Sequence, residues 1–67
     1  MDYEQKFMQE WLITNDCLSL SCLETKADIP KGTLRHFIKE RRNLPYIHYQ
    51  SLKDVLYKYG FMELHNE

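Results

Sequence analysis

Apolar residues recur at helical spacing in four stretches of this chain and show no sustained alternation anywhere. Tyr3, Phe7 and Trp11 stand at i, i+4 and i+8, with Met8 and Leu12 widening the stripe, and predict a first helix over residues 2–14. Asn15 and Asp16 end it. Ser19 is the expected N-cap of a second helix, residues 20–26, its hydroxyl accepting a backbone N–H that the first turn leaves unpaired. Leu20 and Leu23 give that helix its apolar side. Ala27 is small enough for two helices to approach, Asp28 tolerates a left-handed backbone, and Ile29 is apolar enough to enter the core, so these three predict a turn. Pro30 suits the first helical position or the cap before it, where its missing N–H costs nothing. A third helix is therefore expected over residues 30–41, with Leu34, Phe37 and Ile38 at i, i+3 and i+4. Asn43-Leu44-Pro45 interrupts the pattern. Tyr49, Leu52, Val55, Leu56 and Tyr59 mark a fourth helix over residues 45–59, ended by a left-handed Gly60, with Phe61 folding back on Leu56. Residues 62–67 are expected to fray. The predicted fold class is all-α, a compact four-helix domain spanning residues 1–67.

Length makes that packing demanding. A chain of 67 residues has room for one domain, and one this small buries roughly 60% of its unfolded surface. Disulfides, a metal, oligomerisation or well-packed helices usually compensate. One Trp, three Phe and five Tyr favour the last. Cys17 and Cys22 lie five positions apart, in and just before one predicted helix, a geometry unsuited to a mutual disulfide. Zinc would need two more ligands, and His36, His48 and His65 are scattered over different elements. Reduced thiols are expected, Cys22 packed as a small hydrophobe, with no metal or other cofactor. His48 is expected as a half-buried core neighbour and His65 in solvent. Free thiols, no apolar run near ~20 residues and no signal-peptide pattern predict a soluble cytoplasmic protein with no membrane contact.

Charge changes the picture more. The net charge is −1, yet between Lys26 and Arg42 six basic residues face only Asp28 and Glu40, while from Met1 to Asp16 Lys6 alone opposes Asp2, Glu4, Glu10 and Asp16. A basic stripe on an acidic domain is the footprint of phosphate binding through one face; the plainer reading is a solvated helix surface. Catalysis finds no pattern. No Cys or Ser has a recognisable His and acid companion, no Gly-rich phosphate loop exists, and no small-molecule substrate or enzyme activity is expected.

Residues 18–37 read as two short helices joined by a tight turn, the second expected to be apolar inside and basic outside. Such a helix-turn-helix is mostly used to place a side-chain row in a DNA groove. Leu23-Glu24, Ala27, Ile29-Pro30, Gly32-Thr33-Leu34, Arg41-Arg42-Asn43-Leu44-Pro45, Leu52, Val55, Leu56 and Gly60-Phe61 carry a closer likeness. Over these residues the chain resembles the lambda-repressor-like helix-turn-helix domains of bacteria and their phages. The resemblance implies a central helix-turn-helix and a small sequence-specific double-stranded DNA-binding protein, a repressor-like transcriptional regulator. Two positions depart from the pattern. Many members have a small residue at Glu24, which must then lie at the rim of the helix contact or pair with Lys26 or Arg35, and glycine at Asp28.

With the third helix in the major groove, Lys31, Gly32, Arg35 and His36 are the candidates for reading base edges. Lys31 and Arg35 would share one helix face, Arg has the fork that pairs bidentately with guanine, and Gly32 would let the backbone approach. Thr33, Lys39, Arg41 and Arg42, with Lys26 and Ser19 or Ser21, are candidates for phosphates, which fix register without reading sequence. A homodimer on a two-fold symmetric site would multiply the contacts of one helix, with Tyr46, Tyr57 or the Trp11 region at the interface and Tyr49 in the core. The competing function is a protein-interaction module on the same fold, an antirepressor or assembly subunit without DNA binding, favoured by the acidic first helix.

Overall fold

The computed structural model describes residues 3–40 and 42–62, and the protein over these residues is four α-helices without a strand. They are α1 (Tyr3–Thr14), α2 (Leu20–Ala27), α3 (Thr33–Lys39) and α4 (Tyr46–Tyr57). The all-α expectation holds. α1, α2 and α4 lie within two residues of their predicted bounds, whereas α3 begins three residues later than expected. Arg41, His65 and the rest of the tail beyond Met62 fall outside the described residues.

α2 packs against both α3 and α4, and α1 against α3. The core they enclose contains Met8 and Leu12 from α1, Leu23 and Ala27 from α2, and Leu34 and Phe37 from α3. Tyr49, Leu52 and Leu56 come from α4, and Ile29, Leu44 and Phe61 fill it from the connecting segments. Burying each large side chain contributes about 1.5–3 kcal/mol relative to leaving it in water. Phe61 closes the seam between α1 and α4, its ring 5.8 Å from Phe7, 5.5 Å from Trp11 in an edge-to-face contact and 6.1 Å from Tyr57.

The ends of α2 and α4 follow from local chemistry. Ser19 caps α2, its hydroxyl accepting the Cys22 N–H at 3.2 Å. At the other end Asp28 adopts φ 58°, its N–H donates to Thr25 O and the Ile29 N–H donates to Glu24 O. α4 ends in the same motif: Gly60 takes φ 100°, its N–H donates to Tyr57 O and the Phe61 N–H to Leu56 O. Both are Schellman endings, each followed by a buried apolar residue.

Three packing expectations are corrected. The inner face of α1 is Gln5, Met8, Gln9 and Leu12, while Tyr3 is exposed and Phe7 and Trp11 are half-buried on the flank. The two glutamines are buried because backbone partners await them. Gln5 Nε2 donates to Leu44 O at 2.9 Å and Gln5 Oε1 accepts the Leu44 N–H at 2.7 Å; Gln9 Nε2 donates to the carbonyls of Phe37 and Ile38. Cys22 is exposed, as is Cys17: with Leu23 and Ala27 facing inward, the position before Leu23 is turned roughly 100° away. Tyr59 lies beyond α4 in the closing turn, 42% exposed, and so leaves the apolar stripe.

Candidate nucleic-acid interface

α3 starts where it does because Gly32 has φ 91° and cannot be part of a right-handed helix. A Cβ there would meet nothing within 4 Å, so the backbone angle alone calls for glycine. The turn before it is closed by the Thr33 N–H donating to Pro30 O at 3.2 Å. Lys31 is therefore a turn residue, and the expected helical pairing of Lys31 with Arg35 does not exist. Both nevertheless border one concavity of about 510 Å³ between α2 and the first turn of α3, together with Leu20, Ser21, Glu24, Gly32 and His36. All four candidates for base reading thus share one groove.

Glu24 is neither at a rim nor paired with Lys26 or Arg35. It is 4% exposed, and its carboxylate accepts the Leu34 N–H at 2.8 Å through Oε2 and the Gly32 N–H at 3.2 Å through Oε1. Gly32 has no side chain with which to cap α3, so α2 supplies the cap. Sequence reading missed this role and those of Gln5 and Gln9. The usable signal was a helix start with no Ser, Thr, Asp or Asn at the cap position.

At the far end of α3, Glu40 binds two of the candidates. Its Oε2 lies 2.8 Å from His36 Nδ1 and its Oε1 3.3 Å from Arg42 Nε, all three side chains being well exposed. Thr33, His36 and Arg42 also border a smaller concavity of about 160 Å³ beside the first. Lys26 borders neither: its ammonium donates to Tyr59 Oη at 3.1 Å and lies 5.8 Å from that ring's centroid. The bond to the Tyr59 hydroxyl, then the charges of Tyr59 and Cys22, hold Lys26 above the usual lysine value. Lys39 is exposed and also away from both concavities. Lys31, Arg35 and Lys39 have no ion-pair partner among the described residues. His48 is half-buried, Tyr49 buried and Tyr57 exposed, as expected.

Among the described residues no three His, Cys, Asp or Glu side chains converge on a common point, and no helix is long and apolar enough to cross a membrane. Comparison with family models, with curated proteins and with solved structures gives no match.

Proposed function

We propose that this chain is a small sequence-specific double-stranded DNA-binding protein, a transcriptional regulator of bacterial or phage type on a lambda-repressor-like helix-turn-helix. α2, the turn and α3 form the reading unit, and α3 enters the major groove. The observation that carries the proposal is the groove bordered by Lys31, Arg35 and His36, in which neither Lys31 nor Arg35 has an ion-pair partner among the described residues. A guanidinium at the first turn of a groove-borne helix forks onto guanine, and a lysine beside it adds a second donor. Thr33, Lys26, Lys39, Arg41 and Arg42 serve the phosphates. The exposed thiols of Cys17 and Cys22 suit a reducing cytoplasm.

Selection from random duplexes tests the proposal. A palindromic consensus is expected, since a homodimer would multiply the few contacts of one short helix. Arg35→Ala should weaken the selected site by about 1–3 kcal/mol and relax one position; Lys39→Ala should weaken all duplexes alike and flatten the salt dependence. If both variants bind as tightly as the parent, the groove assignment is wrong. A second reading, an interaction module without DNA binding, is favoured by Tyr46 and Ile47, 71% and 70% exposed side by side at the start of α4. It expects no enriched sequence.

A further inference from the structure

Glu24 is the one charged residue buried among those described, and it borders a groove proposed for a polyanion. A carboxylate there opposes phosphate binding, so its presence calls for a different account. Its two bonds supply one. They end on Gly32 and Leu34, the cap and the second helical residue of α3, and so bracket the segment between Lys31 and Arg35. α3 has only seven residues, too few to be a stable helix by itself. Where it starts, and how its first turn is set against α2, therefore depends on groups outside it.

We infer that Glu24 is a positioning residue for sequence discrimination: by tying the backbone of Gly32 and Leu34 to α2, it holds Lys31 and Arg35 in the register needed to read base edges together. This rests on the DNA-binding reading above. Base contacts require fixed geometry, whereas phosphate attraction tolerates displacement and is governed by charge and salt. Loss of Glu24 should thus lower the preference for the selected duplex over a scrambled one at every salt concentration, whereas the loss of its charge acts on both duplexes alike and leaves their ratio unchanged. A purely electrostatic role would strengthen binding to both duplexes by the same factor and leave the preference unchanged. A purely structural role would weaken both together.

The test measures dissociation constants of the full chain, Glu24→Gln and Glu24→Ala for the selected duplex and for a scrambled duplex of equal length, at several salt concentrations. Far-UV circular dichroism reports folding, and amide exchange is followed at Gly32 and Leu34. Glutamine keeps one acceptor oxygen for the Leu34 N–H and loses the other. The preference should fall about tenfold in Glu24→Ala and by less in Glu24→Gln, by the same factor at each salt concentration, with both amides exchanging faster. If Glu24→Ala does not fold, Glu24→Gln decides alone. A parent that discriminates, with folded variants that discriminate equally well, overturns this inference and leaves the DNA reading standing. A parent that prefers no duplex overturns both.

Discussion

Gln5, Gln9 and Glu24 on the inside, and His36, Glu40 and Arg42 on the outside, use the same hydrogen-bonding chemistry in opposite surroundings. The inner three are buried and their bonds end on backbone atoms of another segment. The outer three bond to one another in solvent, with side chains 47–76% exposed. Water can replace an outer partner at little cost, whereas an inner partner has no substitute. A buried polar group left without its bond costs about 1–3 kcal/mol, against ~0–1 kcal/mol for an exposed ion pair. In a domain of this size, the difference decides which polar residues hold α3 in place.

The largest effect is expected at Gln5. Gln5→Ala removes both bonds to Leu44 and leaves that residue's N–H and C=O unpaired in the core, so unfolding in urea should show a loss of about 3 kcal/mol. Gln9→Ala leaves the buried Phe37 carbonyl without its side-chain donor, while the Ile38 carbonyl is only part-buried, and should cost about 2 kcal/mol. A loss below about 0.5 kcal/mol at Gln5 would mean that the inner and outer residues do not differ in the way described.

Neither glutamine is visible in the periodicity, and the reason is physical. Pattern reading assigns apolar residues to the core, so Tyr3, Phe7 and Trp11 outweighed Gln5 and Gln9 in α1, although the polar pair lies on the inner side. A buried amide is betrayed only by its partners, here Leu44 and Phe37, which are far off in sequence. Local signals were read correctly: the Ser19 cap, the left-handed Asp28 and Gly60, and the core role of Leu34, Phe37 and Phe61. The start of α3 was misplaced for an intermediate reason. Pro30 is a sound first helical residue, but Gly32 two positions later leaves the right-handed region and postpones the helix. That moved Lys31 into a turn and left the candidate groove legible as a set of residues but not as a helix face.

Outside the core, backbone conformation matters more than polar pairing. Asp28 and Gly60 occupy equivalent positions in two Schellman endings, at φ 58° and φ 100°. An L side chain in the left-handed region costs roughly 1 kcal/mol relative to glycine. Asp28→Gly should therefore stabilise the protein by about 0.5–1 kcal/mol, and Gly60→Ala should destabilise it by a similar amount, both read as shifted urea midpoints at constant slope. If Asp28→Gly destabilises, the carboxylate of Asp28 has a role beyond tolerating its turn.

The smallest effect on stability is expected at Glu40, where the outer side of the comparison meets the proposed function. Glu40→Gln removes the charge shared by His36 Nδ1 and Arg42 Nε, but all three side chains are well hydrated, and the change in unfolding free energy should stay within about 0.5 kcal/mol. Its effect on DNA should be larger. Arg42 loses its only carboxylate partner among the described residues, and the face gains one unit of positive charge. Matched and scrambled duplexes should both bind several-fold tighter at low salt, with the gain shrinking as salt screens it. Urea titration and duplex binding on the same variant separate the two effects. A stability loss above about 1 kcal/mol would show that the outer network is not the weak, water-replaceable set its exposure implies; unchanged binding at low salt would remove Arg42 from the phosphate contacts.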